Sequence, residues 1–366
     1  IFNRLQKGAE EMREVAGRIC RNYLHGAWKT VVQSMDAIVT ESVIFTLLSE
    51  RRLGPKLHGV FSGGRIEEYI PARPLLTKEL ADPSLSMKIA EKMAAIHSMD
   101  VPLSKEPNWI WKTMGKWLKT IREERLSGNV TEEQRIVKYL KSVDFEKEIE
   151  WLKKFLTSVE SPVVFCHNDM QEGRSSYGGN SKFSTPFLYR SVHFICDSFD
   201  RQHLATRRLD SGEPKLVLID FEYCAYNYRG FDIANHFQEW GYDYTNPQHP
   251  FYFENQENCP NIEQKEIFIK EYLKHYQLLL SDDKSSGAVS LEAVNKLLNE
   301  VDAFACASHL FWALWSIINA SKSQIPFGYW EYGQSRLETY LRLKQEVIKK
   351  DKFGLAQKRK ICEVDI

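Results

Sequence analysis

Two short apolar segments end in aspartate. Val163-Val164-Phe165-Cys166 runs into His167-Asn168-Asp169, and Leu216-Val217-Leu218-Ile219 runs into Asp220. Short runs of β-forming apolar residues, the first preceded by Ser161-Pro162, read as buried strands. A buried strand admits polar groups only where it leaves the core, so both turns are expected at strand tips facing a cleft. One carboxylate in such a turn is most simply a turn residue or a helix cap. Two in succession suit phosphoryl transfer, in which one carboxylate takes the proton of an attacking hydroxyl and the other holds Mg²⁺ against the phosphates.

The chain that must position them has 366 residues, with 49 basic and 49 acidic side chains and a net charge of zero. This length suggests two domains or lobes and an ample core. Zero net charge lacks the basic surplus of a nucleic-acid-binding protein. The seven cysteines are odd in number, scattered and without a CxxC pair, which points to a reduced, cytoplasmic chain rather than a disulfide frame or zinc site. No apolar run reaches the ~18 residues of a membrane span; residues 310–318, the longest near the C-terminus, include Ser316. The chain opens Ile1-Phe2-Asn3 without Met or a signal-peptide pattern, as an incomplete or trimmed N-terminus would.

Helical spacing is expected over 5–23, 35–50, 86–97, 231–240, 262–280, 291–318 and 336–349, with one or two helices inside 132–159 and an aromatic segment at Trp109, Trp111 and Trp117. Residues 57–60 and 65–70 read as a hairpin around Ser62-Gly63-Gly64, and Pro71 and Pro74 as a hinge linker. Residues 174–214 show no clean period and read as a surface excursion or as disorder. The basic tail at 349–360 reads as a solvated end.

Several strings together resemble the choline/ethanolamine kinase family. Cys166-His167-Asn168-Asp169-Met170-Gln171-Glu172-Gly173 is similar to that family's catalytic loop, and Ile219-Asp220-Phe221-Glu222-Tyr223 to its metal-binding turn. The string from Tyr226 to Trp240 is the most distinctive, and Ser308 to Ile317, Phe327-Gly328-Tyr329, Glu41 to Phe45, Leu53 to Leu57 and Ala90 to Ala94 follow in the family's order. The resemblance implies an α+β, eukaryotic-protein-kinase-like two-lobe fold. Residues 1–72 would be a remnant of the nucleotide-binding small lobe and its hinge. Residues 73–366 would form a mainly helical large lobe with the catalytic loop and the choline pocket.

The same resemblance assigns roles. Asp169 becomes the catalytic base; a primary alcohol does not ionise at neutral pH, so its proton must be accepted as the new bond forms. Asp220 becomes the Mg²⁺ ligand and, with Gln171, lies at the ATP site. His167 and Asn168 hold the loop, Glu41 and Asp232 support the site, and Glu239, Tyr244, Trp312, Trp315, Phe327 and Tyr332 form the substrate pocket. From spacing alone, Trp312 and Trp315 are neighbours on one helix face and read as core. A quaternary ammonium, however, has no N–H to donate and is held by aromatic faces beside a carboxylate. The substrates implied are ATP and choline, with no nucleic-acid partner, and a homodimer is left open.

Two departures stand out. The family places an Asn five residues after its base as a second metal ligand, where this chain has Arg174, which offers donors only. Glu41 follows Gly26-Ala27-Trp28-Lys29 so closely that the strands bearing its basic partner have no room, and Lys29 is a poor substitute. Both breaks are abrupt, as an altered transcript would leave them. Two alternatives therefore stand beside a choline kinase: a catalytically impaired isoform acting as a binding or dimer partner, and an ethanolamine kinase.

Overall fold

The structure is a computed structural model and describes residues 37–61, 64–68, 70, 73–123, 131–171, 194–196, 216–281 and 288–350. The helix expected over 5–23, Lys29, Arg174 and the basic tail lie outside these residues. The described residues divide into two compact units, one within Ile1–Lys105, Val164–Tyr226 and Ile267–Ala288, the other within Glu106–Val163, Asn227–Glu266 and Val289–Ile366.

The first unit opens with helix α1 (Ala37–Glu50), which buries Val43, Ile44, Phe45, Leu47 and Leu48. Strands β1 (Leu57–Phe61) and β2 (Gly64–Glu67) follow as the expected antiparallel hairpin, with Val60 opposite Arg65. The proline-bearing linker is partly a strand: β3 (Arg73–Pro74) pairs with β5 (Phe194–Cys196), which pairs with β6 (Leu216–Leu218), both antiparallel. Proline has no N–H to give a ladder and is tolerated here because β3 is an edge strand. The expectation that 174–214 carries no element is corrected at β5, whose partners lie far away in sequence and leave no local period to read. Helix α2 (Pro83–His97) starts where Asp82 accepts from the Leu85 amide at 3.0 Å and Pro83 stands at the first helical position. Strands β4 (Val163–Cys166) and β7 (Ala225–Tyr228) form a further pair.

The second unit is helical: α3 (Trp109–Glu123), α4 (Thr131–Lys141), α5 (Phe145–Thr157), α6 (Arg229–Glu239), α8 (Leu291–Lys322) and α9 (Tyr329–Lys350). Helix α7 (Ile262–Leu280) crosses from this unit into the first, and a small pair, β8 (Tyr242–Asp243) with β9 (Phe253–Glu254), follows α6. Helix α8 is the axis, packing on α9, α6, α3 and α5. It is the one described helix long and apolar enough to cross a membrane, yet 89% of its apolar window is buried inside the protein. The sequence scan missed this because polar residues interrupt the run, whereas the helix averages over them. Ser290 caps α8 by accepting from Ala293 N at 3.2 Å. A buried ion pair joins α6 to α8, with Arg229 Nη2 donating to Glu300 Oε2 at 2.5 Å and Ser161 Oγ to Glu300 Oε1 at 2.7 Å. Gly230 lies so close that an added Cβ would sit 2.6 Å from Phe304, so only glycine allows this approach.

Helix α9 starts at Tyr329, earlier than the expected 336, because Tyr329, Trp330 and Tyr332 are buried by tertiary contacts. Trp109 and Trp117 pack on Phe311, with ring centroids at 5.2 and 4.7 Å, as core anchors.

Candidate active site

In the first unit, β4 delivers His167, Asn168 and Asp169 to a turn at its C-terminal end. All three are buried, Asp169 with 4% of its surface exposed. Strand β6 delivers Ile219 and then Asp220, which is half-buried. The two turns are stitched together. Asn168 Nδ2 donates to the Tyr223 carbonyl at 2.9 Å, and His167 Nε2 donates to the Ile219 carbonyl at 3.2 Å. A carbonyl only accepts, so the proton of His167 is on Nε2. Each side chain thus ties the first turn to the second. Asn168 and Asp220 both adopt positive φ, 68° and 63°. Asparagine and aspartate tolerate this region better than other side chains, and such residues cluster where function over-determines the backbone.

Phe221 anchors the second turn. Its ring meets Phe45 of α1 edge-on at 5.8 Å and His167 at 5.6 Å. Gly54 makes room for it, since a Cβ there would lie 2.7 Å from the ring. Helix α1 also carries Glu41, whose expected lack of a basic partner is corrected here. Arg65, on β2 of the hairpin, donates through Nη1 to Glu41 Oε1 at 2.5 Å and stacks over Phe45 at 4.2 Å. Glu67 follows on the same strand. Burial raises its carboxyl above the usual range; Arg65 opposes this, and Glu41 and Asp220 add to it. The carboxylates of Asp220 and Glu67 thus interact electrostatically, and their donors are hard oxygens suited to a divalent metal such as Mg²⁺. Gln171 is buried just beyond Asp169.

The second unit gathers the predicted pocket residues. On α6, Asn235 and Glu239 are one turn apart; on α8, Ser308 and Trp312 are likewise one turn apart. Asn235 Oδ1 accepts from Trp312 Nε1 at 2.6 Å and from Ser308 Oγ at 2.7 Å, which fixes the plane of the indole. Trp312 meets Trp315 edge-on at 5.3 Å, and Tyr332 meets Phe327 at 5.4 Å and Trp315 at 6.5 Å. Tyr244 stands 6.3 Å from Phe327. Trp315, Phe327 and Tyr244 are half-buried, so their rings remain reachable, whereas Trp312 and Tyr332 are buried.

Polar groups thread this cluster. Tyr244 donates to Glu239 Oε2 at 2.8 Å, and its hydroxyl lies 3.1 Å from that of Tyr332. Burial, reinforced by Glu239, pushes the Tyr244 phenol well above its ordinary range. Burial does the same for Tyr332, with Arg336 opposing. Both are neutral hydrogen-bond donors at physiological pH. Arg336 Nη2 donates to Glu239 Oε1 and, at 2.6 Å, to the Tyr332 hydroxyl. Sequence reading missed Arg336 and Asn235. The signal was periodic: Arg336 follows Tyr332 by one helical turn, and Asn235 precedes Glu239 by one. Asp232 lies in the first turn of α6, fully buried, where a carboxylate favours the helix N-terminus.

Residues 23–341 match the model of the choline/ethanolamine kinase family. The chain is 42% identical over 342 residues to a human protein named choline/ethanolamine kinase, covering 92% of this chain and 74% of that one. It is 34% identical over 390 residues to choline kinase A2 of Caenorhabditis elegans, covering 92% and 86%. Among solved structures, it is similar to a choline kinase from Cryptosporidium parvum, with a TM-score of 0.61 at 24% identity over 88% of this chain and 81% of that one. It is also similar to an ethanolamine kinase from Plasmodium vivax, with a TM-score of 0.59 at 23% identity over 85% and 73%. These two likenesses bear on the fold, which is the kinase-like α+β fold implied by the catalytic strings. By the extent of the family match and the identity to its curated members, this chain belongs to the choline/ethanolamine kinase family of ATP-dependent phosphotransferases.

Proposed function

We propose that the protein transfers the γ-phosphoryl group of ATP to the hydroxyl of choline, giving phosphocholine and ADP, the step that opens phosphatidylcholine synthesis by the CDP-choline route. The observation that carries this reading is the pair of acid-bearing turns stitched to one another by His167 and Asn168. In it, Asp169 accepts the choline hydroxyl proton as the oxygen–phosphorus bond forms and the bond to the ADP oxygen breaks. Asp220 would hold Mg²⁺ with the ATP phosphates, and the chemistry that ion would supply is neutralisation of the charge spread over the phosphoryl oxygens. Gln171, buried just beyond Asp169, would contact the nucleotide. His167 and Asn168 keep the carboxylates in register, and the Glu41–Arg65 pair ties α1 to the hairpin of the small-lobe remnant, which we take to end near residue 72.

Trp315, Phe327 and Tyr244 would hold the trimethylammonium through their ring faces, each such contact contributing about 0.5–2 kcal/mol, with Trp312 and Tyr332 packed against them to complete the cage. Ethanolamine is the second substrate of this reading, because the pocket also contains the carboxylate of Glu239. We place the protein in the cytoplasm, in keeping with the odd number and scattered positions of the seven cysteines in its sequence.

The test is transfer of radiolabelled phosphate from ATP to choline by the purified chain beside Asp169→Ala. Loss of general-base catalysis should lower kcat by about 10²–10⁴-fold. Turnover equal in the two proteins would eliminate the enzyme reading for this chain.

A further inference from the structure

Glu239 is buried, with 1% of its surface exposed, and both its oxygens are engaged: Oε1 by Arg336 and Oε2 by Tyr244. Arg336 is fully buried as well. Its guanidinium lies over the ring of Tyr242 at 4.0 Å and that of Tyr332 at 4.9 Å. Nη2 serves both Glu239 and Tyr332, while Nε and Nη1 are buried and make no hydrogen bond among the described residues. A guanidinium stays protonated in a protein. A lone Glu239 would therefore attract any small cation, but the carboxylate in this pocket is already neutralised by a permanent charge.

We propose that Arg336 is a specificity-determining residue: by cancelling the charge of Glu239 and occupying Oε1, it leaves the aromatic faces to select the ligand and so biases the pocket toward a quaternary over a primary ammonium. The chemistry follows from the donors. A primary ammonium carries three N–H groups and gains most from an acceptor carboxylate, whereas a trimethylammonium has none and gains from ring faces. With Arg336 in place, a primary ammonium must compete with the guanidinium for Oε1, or leave its own protons unsatisfied in a desolvated cage, which is costly. The trimethylammonium faces neither penalty. The inference rests on the choline pocket proposed above and identifies what tunes it.

Arg336 acts through Glu239 and the ring cage, as a positioning group and not by contact with the reacting atoms. Its readout is accordingly a ratio of substrates. The experiment measures kcat/KM and calorimetric Kd for choline and ethanolamine in the full chain, in Arg336→Met, and in Arg336→Gln, which keeps a donor toward Glu239 and removes only the charge. The Glu239→Gln/Arg336→Met double variant is measured beside them. Thermal melting checks that each is folded. In either single variant, the ethanolamine:choline ratio of kcat/KM should rise about tenfold, chiefly through KM. In the double variant both affinities fall, but the ratio returns to within about threefold of the unmodified protein, because no uncompensated carboxylate remains. Removing both partners of a buried pair is better tolerated than removing one, so the double variant also serves where the single variants do not fold. A ratio unmoved in a folded single variant, or shifted beyond threefold in the double, overturns the role of Arg336 while the choline reading stands. An unmodified chain that binds neither amine overturns both.

Discussion

Asn168 and Asp220 show what single residues contribute at this site. Each takes a left-handed backbone conformation, and each sits where a strand stops and a turn must aim a carboxylate. For Asn168, the same residue tolerates the backbone and supplies the side-chain donor to Tyr223 O. These two functions are separable. Asn168→Ala should lose about 1–2 kcal/mol to left-handed strain and a further ~1 kcal/mol with the hydrogen bond. Asn168→Gly recovers the strain but not the tie, so it should fold nearly as well yet still turn over slowly, with kcat reduced more than KM is changed. Urea denaturation and steady-state kinetics on the pair read this directly. Equal stability of the alanine and glycine variants would count against the strain argument.

At the scale of elements, α6 and α8 are joined by Asn235 with Ser308 and Trp312, by Arg229 with Glu300, and by His309 with Gln238. His309 Nε2 stands 3.0 Å from Gln238 Oε1 and donates to it. Burial first, then the positive charges of Arg336 and Arg342, hold the His309 imidazole well below its ordinary value of 6.5. The sign of the resulting pH dependence is fixed. A histidine whose pKa is depressed by folding binds its proton more readily when unfolded, so its contribution is complete above about 6.5 and is lost as pH falls below it. The slope from this one group is at most about 1.4 kcal/mol per pH unit. Chemical denaturation between pH 7.5 and pH 5 should show this fall in the native chain and a shallower one in His309→Gln. An identical slope in both would remove His309 as its source.

At the scale of the whole molecule, the acidic turns belong to one compact unit and the aromatic cluster to the other. The two substrates should therefore leave different footprints. Saturating choline is expected to slow amide exchange around 239–244, 312–315 and 327–336. ATP with a divalent metal should slow it around 166–171 and 219–221. A ligand present at a hundred times its Kd stabilises what it binds by about 2.7 kcal/mol, enough for the two patterns to separate clearly. Choline protecting the Asp169 turn while leaving 312–336 unchanged would contradict the assignment of the pocket.

The amino-acid sequence by itself determined the strand–Asp turns, the hairpin and most helices, because each depends on local apolar period or on a contiguous string. It left three things to the tertiary structure. Strand β5 exists only by pairing with β3 and β6, so its own residues carry no period that announces it. Arg65 becomes the partner of Glu41 only once the hairpin lies against α1, a meeting across 24 positions. Arg336 reaches Glu239 across 97 positions, and neither charge reveals its partner until α6 and α9 converge beside α8. Local spacing encodes which face of an element is buried; which charges meet inside depends on how distant elements pack.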